Sequence, residues 1–589
     1  MKTRQSSFSI PIYYRFLFAT PTINKDMSIE RADYSLPCEK SSAEKDSGPH
    51  VYEGEAIVYP NDGSENVIPR EEETHRALSS RQLSMIALGG AIGTGLVIGT
   101  GTGLARSGPA SLFMSYVVMG TVCCGVMMAL GEMSTKYPSK KGFAGHATRC
   151  VDPAFGFCTA LVYLCKYLIT SPSEIVAGCL VIRYWNDSIN SAAWVAIFIA
   201  LVIVVNILGV KWFGEIEFWL SFTKIITLIG LILLALLIDL GGVPGQERLG
   251  FRYWEHGRAF KAYKTTGDLG KFLGFVNALV LAFFAYIGTE LIGITIGEAK
   301  NPRKTIPSAI RKTFFRIVFF YVLSSLLIGM VVDSSSPLLA QAAKKGTSGG
   351  ASASPFVVAI ESAGIKVLPT IINGCILIFT ISGAISDQYI ASRTLYGMAK
   401  DGSMPRVFTK CNSRGVPWAA FMFTSMFMGL AYLVANSDAL SVFNYFVNSV
   451  TTFGGLTWTS ILSSHVAFMR GMKAQGISRD TLPYKSPFQP YFTYCSLFLI
   501  CFISLFKGFE AFMPWDYKLF ITNYIGIPIY VIAYIGFKLI RKTKAVKIRE
   551  MDLTTGAQEF HDLDEETDEE RQYKSMSFKQ KVIYQIKNW

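Results

Sequence analysis

Between Leu83 and Ile540 the chain falls repeatedly into apolar stretches of roughly 18 to 30 residues, each long enough to cross a hydrocarbon core about 30 Å thick. Half of the 589 residues are hydrophobic and only 17% are charged, so the clustering, more than the total, makes the bilayer the main solvent. The pattern predicts about twelve spans: 83–104, 110–131, 154–183, 192–210, 218–240, 271–297, 314–332, 369–399, 417–435, 441–469, 489–507 and 521–541. A backbone in lipid must satisfy its own hydrogen bonds, and these runs are too long for barrel strands. An all-α membrane protein follows.

Composition changes at both ends. Residues 1–80 and 545–589 are polar and hold most of the acidic residues, including the run Asp562-Leu563-Asp564-Glu565-Glu566, which predicts flexible tails around a membrane domain spanning 81–544. The apolar patch Ile10–Ala19 is short, is interrupted by Arg15 and precedes no cleavage site, so no cleaved signal peptide is expected, and Met27 is a second candidate start. The net charge of +13 is concentrated beside spans, where Lys and Arg set orientation, and it does not point to nucleic acid. With the N-terminus inside, inner loops such as 298–313 and 399–416 are richer in Lys and Arg than the outer ones, although the outer loop 241–270 is itself basic. Both termini are therefore expected in the cytoplasm. The 11 cysteines lie mostly in spans and show neither a disulfide framework nor metal-ligand spacing, so no metal or cofactor is expected. Lysines in the tails are expected attachment sites for ubiquitin ligase machinery.

The first span is unusually rich in glycine, at 89, 90, 93, 95, 99, 101 and 103. Each costs a helix interior about 1 kcal/mol relative to alanine, so an interrupted helix suits the segment better than a continuous one. A break at membrane depth frees N–H groups at the start of the second half-helix, where they can hold an anion such as an α-carboxylate. Ala91, Gly93, Thr94 and Gly95 are the candidates; close helix packing is the alternative use of such glycines. The sixth span places Phe284, Ala285, Ile287, Gly288, Thr289 and Glu290 in mid-membrane. These two irregular segments occupy corresponding positions in two five-span halves, the signature of a transporter built from inverted repeats with substrate held at the breaks. Carbonyls freed near Phe284, Ala285 and Ile287 could accept from an α-ammonium group. Together the breaks match a zwitterion.

Several ionisable residues stand in or beside the expected spans. Glu290 is costly at that depth unless paired or protonated, which predicts a part in proton coupling or gating, against a packing carboxyl as the alternative. Lys166 and Glu174 share the third span; eight residues at about 100° each bring them to within roughly 80° of one direction and about 12 Å apart along the axis. Either Lys166 compensates a negative substrate side chain or the two cancel one another, directly or through water. Glu217 and Lys224 read as a structural or gate pair.

The segments Gly90-Ala91-Ile92-Gly93-Thr94-Gly95-Leu96, Gly131-Glu132-Met133, Gly214-Glu215-Ile216-Glu217-Phe218-Trp219, Gly288-Thr289-Glu290, Glu298-Ala299-Lys300-Asn301-Pro302-Arg303 and Ser392-Arg393-Thr394-Leu395-Tyr396 resemble the fungal amino acid permeases of the amino acid–polyamine–organocation superfamily. The resemblance covers about residues 75–550. It implies a leucine-transporter-like 5+5 inverted repeat with interrupted first and sixth helices, and proton-coupled uptake at the plasma membrane. It further implies that Gly93, Thr94 and Gly95 bind the α-carboxylate and that Phe284 is an aromatic gate. Arg248-Leu249-Gly250-Phe251-Arg252-Tyr253-Trp254, Phe443-Asn444-Tyr445-Phe446-Val447-Asn448 and Lys166-Tyr167-Leu168-Ile169 resemble the family's dicarboxylic branch, which implies glutamate and aspartate as substrates. Two departures bear on that expectation. Glu174 stands where that branch has a neutral polar residue, and an extra carboxylate repels an acidic substrate unless protonated or paired. Ile385 replaces an asparagine usual in the family.

The leading expectation is thus a proton–amino acid symporter for acidic amino acids, with a neutral or broad-range permease as the alternative. A non-transporting amino acid sensor is the reading from another class, and it fits less well because family sensors carry a longer N-terminal extension. No nucleophile–base constellation or phosphate loop suggests an enzyme.

Overall fold

The computed structural model of the chain describes Met85, Gly89 and residues 92–137, 141–186, 188–291, 302–339, 354–435 and 437–553. All of them belong to one compact unit, Ile68–Trp589. Among the described residues there is no β-strand, and every expected span falls on helix. Eight helices are long and apolar enough to cross a membrane, and the bent pair Tyr517–Tyr524 and Gly526–Arg541 makes a ninth. The remaining expected spans correspond to the helical run after Thr94, to Ser191–Ile207 and to Ala439–Ala474. Ala91 and most of the residues before it lie outside the described residues.

The helices that build the centre are α1 (Thr100–Ser107), α2 (Pro109–Lys136), α3 (Gly142–Cys150), α4 (Pro153–Ile182), α5 (Ser191–Ile207), α6 (Val210–Asp239), α7 (Gly267–Tyr286), α8 (Pro302–Arg316), α9 (Leu323–Val331), α10 (Pro355–Ser362), α11 (Leu368–Lys400), α12 (Trp418–Met426) and α13 (Ala439–Ala474). The third span, α4, is the axis of the molecule and packs along α11 and α13. Its sequence explains the place: apolar and small residues surround the helix on nearly every face, so it is stable only when enclosed, and most of its residues are buried. Its start is fixed by Asp152, whose carboxylate accepts from the Ala154 N–H at 2.7 Å, followed by a proline at the first helical position. Pro172 lies inside α4 and removes the ladder bond to the Leu168 carbonyl in the stretch that faces the site.

The segment after the last span folds back against the helix ends, so the packed region extends past the boundary expected at residue 544. Val546 donates its N–H to the Val151 carbonyl at 2.8 Å, Gln475 donates to the Met551 carbonyl at 2.7 Å, and Tyr137 donates its hydroxyl to the Leu553 carbonyl. Met551 and Leu553 are buried. Two apolar side chains two residues apart in an otherwise polar stretch supply the anchor that average composition conceals.

Candidate functional site

Both expected helix breaks are present. In the first span Ile92 and Gly93 are non-helical, and a π-helical turn, Gly95–Gly99, follows Thr94 and runs into α1. Gly93, Thr94 and Gly95 therefore stand at the N-terminal end of a helical run, where N–H groups and the dipole favour an anion. In the sixth span α7 ends at Tyr286, Ile287 is extended (φ −61°, ψ 140°), and Gly288 takes φ 99°, a region that favours glycine. A short 3-10 turn, Thr289–Leu291, resumes the path. Ile287 donates its N–H to the Phe283 and Phe284 carbonyls at 3.2 and 3.3 Å, so the Phe284 carbonyl is partly engaged. The carbonyls of Ala285 and Ile287 accept no backbone hydrogen bond from the described residues.

The breaks meet. A Cβ on Gly95 would lie 2.6 Å from the Ala285 Cα and 2.9 Å from the Phe284 ring, so the glycine is what lets the two spans touch. Between them is a cavity with an empty volume of about 530 Å³, open solvent included. Gly93, Gly95, Phe284, Ala285, Ile287, Gly288 and Glu174 line it, as the sequence suggested. Phe284 is buried and meets Phe443 edge-on, with ring centroids 6.0 Å apart.

Three expected site residues stand elsewhere. Thr94 turns its hydroxyl to Glu174 Oε1 at 2.9 Å. Lys166 and Glu290 lie behind the wall and pair with each other, both side chains fully buried. Of the two expectations for Lys166, direct pairing with Glu174 is replaced by pairing with Glu290. The angular offset between residues eight apart sends Lys166 toward the sixth span and Glu174 toward the first. Glu290 Oε2 also accepts from the Trp458 indole and the Gly288 N–H, each at 3.1 Å. The Lys166 ammonium sits over the Tyr163 and Tyr167 rings, 4.3 and 4.1 Å from their centroids, in cation–π geometry. Tyr167, not Lys166, reaches the cavity.

The expected Glu217–Lys224 contact is also replaced. Glu217 accepts from the Ser382 hydroxyl at 2.7 Å and the Ser221 hydroxyl at 3.1 Å, while Lys224 donates to the Gly89 carbonyl at 3.3 Å. Both are fully buried. Hydroxyls satisfy Glu217, and the Gly89 carbonyl, which also accepts from the Ile92 N–H at 3.0 Å, takes the Lys224 ammonium.

Several lining residues were not anticipated: Tyr167, Thr170, Leu291, Gly383, Asp387 and Ile390. They are readable in hindsight. Tyr167, Thr170 and Glu174 follow the i, i+3, i+7 spacing of one helix face, and Gly383, Asp387 and Ile390 follow i, i+4, i+7. Asp387 is a carboxyl inside an apolar span and meets the same criterion that singled out Glu290. Among the described residues Glu174 Oε2 has no hydrogen-bond partner.

Paired helix breaks around a mid-membrane cavity, with buried ionisable residues behind it, define a multi-pass secondary transporter. The chain belongs to the amino acid permease family, whose model matches residues 82–550. It is 45% identical over 518 residues to the dicarboxylic amino acid permease of Saccharomyces cerevisiae, covering 87% of this chain and 84% of that one. It is 40% identical over 513 residues to the proline-specific permease of Emericella nidulans, covering 86% and 93%. It is 38% identical over 512 residues to the lysine-specific permease of Saccharomyces cerevisiae, covering 86% and 83%. The fungal relatives are thus amino acid permeases named for acidic, neutral and basic substrates, and they are transporters, not enzymes.

Proposed function

We propose that the chain imports amino acids across the plasma membrane in symport with protons, with both termini in the cytoplasm, and that aspartate and glutamate are its preferred substrates. The observation that carries the amino acid site is the junction of the two breaks. One wall offers the N-terminal end of a helical run at Gly93–Gly95, and the other offers the carbonyls of Ala285 and Ile287, which accept no backbone hydrogen bond from the described residues, complementary to an α-carboxylate and an α-ammonium. Phe284 acts as the aromatic gate. Glu290 is the coupling residue: a proton on it weakens its hold on Lys166, whose ammonium then becomes available to a side-chain carboxylate beyond Tyr167.

The acidic preference draws on the 45% identity to a dicarboxylic permease. A neutral or broad-range preference is the second reading, and a specific observation favours it: the ionisable residues that line the cavity, Glu174 and Asp387, are both acids. A competition panel of all twenty amino acids, in cells lacking their own permeases and at two external pH values, separates the two. Strong competition by aspartate and glutamate supports the acidic reading; competition mainly by neutral amino acids supports the second. Given glutamate uptake by wild type, Lys166→Met should weaken its apparent affinity. Unchanged affinity would remove the counter-charge role of Lys166.

A further inference from the structure

The eighth span carries a carboxyl that neither break accounts for. Contacts between α4 and α11 fix its level. A Cβ on Gly178 would lie 3.0 Å from the Thr380 hydroxyl, and one on Gly383 3.0 Å from the Glu174 carboxyl; Ser171 donates its hydroxyl to the Ala384 carbonyl at 3.5 Å. Positions on α4 fall as positions on α11 rise, so the two helices run antiparallel. Asp387 lies four residues beyond Gly383, about 6 Å along the axis, which carries it past Glu174 toward Thr170, Tyr167 and the level of Lys166. It is the cavity's second acid.

The two acids are held differently. Glu174 is tied to the first break by the Thr94 hydroxyl, at the end of the cavity where the α-groups of an amino acid would sit. Asp387 is a turn further on, where a side chain would end. The charges in reach of Asp387 are Glu174 and Lys166 from α4 and Lys224 and Glu217 from α6. The Tyr163 and Tyr167 hydroxyls of α4 also face its field. Lys166 is committed to Glu290 and Lys224 to the Gly89 carbonyl. Among the described residues no cation lines the cavity, and while Glu290 holds Lys166 none is in place to match an acidic side chain.

We propose that Asp387 is the specificity-determining residue that reads the far end of the substrate side chain, and that its protonation decides between acidic and amide side chains. Ionised, Asp387 repels a side-chain carboxylate and accepts from an amide N–H. Having taken a proton from the external solution, it is neutral and donates its O–H to a carboxylate. The preference of one cavity then moves with external pH. This inference rests on the reading of the cavity as the amino acid site.

The test measures inhibition constants of aspartate and asparagine against the radiolabelled amino acid that wild type imports best, at about pH 6.5 and about pH 5, where aspartate's own side chain stays mostly ionised. Surface levels of the full-length chain are measured alongside. For wild type, acidification should shift the ratio of the two constants about ten-fold toward aspartate, within the limit of about 30-fold that one titrating proton can give over about 1.5 pH units. Asp387→Asn should hold the ratio near its acidic value at both pH values, and Asp387→Glu should restore the shift. Asp387→Ser, smaller and also without a carboxyl, carries the same expectation if the asparagine variant fails to reach the surface. A wild-type shift retained in Asp387→Asn or Asp387→Ser overturns the proposal, as does a shift abolished by Glu174→Gln alone. A wild type that accumulates no amino acid overturns instead the reading of the cavity on which the proposal rests.

Discussion

Glu290 and Glu174 are both acids buried near the broken helices, yet their surroundings differ. Glu290 is saturated by the Lys166 ammonium, the Trp458 indole and the Gly288 N–H, and it stands behind the cavity wall. Glu174 accepts from the Thr94 hydroxyl, has one oxygen without a partner among the described residues, and lines the cavity. A fully satisfied buried ion pair resists change until a proton breaks it, whereas a half-satisfied acid at a cavity wall is available to whatever enters. On the proposed function, the same residue type serves as a latch in one place and a contact in the other.

The largest expected effect comes from breaking the latch. Glu290→Gln leaves the Lys166 ammonium buried without its counter-charge, which costs about 3–5 kcal/mol. Uptake and surface level should fall by about 100-fold or more. Joining Lys166→Met to Glu290→Leu should return the protein to the surface, measured by fluorescence of a tagged chain, without restoring proton-driven accumulation. Wild-type uptake from Glu290→Gln would remove the distinction between the two acids.

Gly95→Ala comes next, because its Cβ would press on the Ala285 backbone at 2.6 Å. The two Ala285 contacts are backbone and cannot swing aside, so the spans must separate, and uptake should fall by roughly 10- to 100-fold, the scale expected for misplacing a site by about 1 Å. Initial rates normalised to surface level check it. Gly93→Ala, whose nearest contact is 3.5 Å away, should be milder.

Glu174→Gln sharpens the comparison at the contact side. Removing its charge should raise acidic over neutral uptake by several-fold, since a repulsion of about 1 kcal/mol is about five-fold. An unchanged ratio counts against repulsion by Glu174.

The smallest effect is one of stability and lies outside the spans. His146, in α3, is buried and shares a hydrogen bond of 3.1 Å with the Ser134 hydroxyl. Burial, then the nearby Arg149 charge, pushes its pKa down to about 3. Below the ordinary histidine value the unfolded chain binds the proton more readily, so this residue's contribution is intact at neutral pH and is lost as pH falls from about 6.5 toward 3. At about pH 5 the loss is about 2 kcal/mol. Purified His146→Gln protein should show a smaller drop in melting temperature between pH 7 and pH 5 than wild type.

Much of this was legible from local chemistry. Span lengths and the two glycine-containing interruptions follow from the demands of lipid on a backbone, and the structure has them where the sequence set them. Partner choice was not legible. That Lys166 turns to Glu290 and not to Glu174 depends on how α4 rotates between the first and sixth spans, which no spacing within one helix can fix. Asp387 carried its own signal, an acid in an apolar span, but its meaning required knowing that α11 runs antiparallel to α4. The buried Met551 and Leu553 escaped notice because a tail's average polarity hides two anchors.

On the proposed function, the cavity at the paired breaks moves amino acids together with protons. The most direct measurement is accumulation of a radiolabelled amino acid in cells without their own permeases, with and without a protonophore. Symport through this cavity should give accumulation above the external concentration that the protonophore abolishes and that Gly95→Ala greatly reduces. Binding without accumulation, or accumulation indifferent to the protonophore, would contradict it.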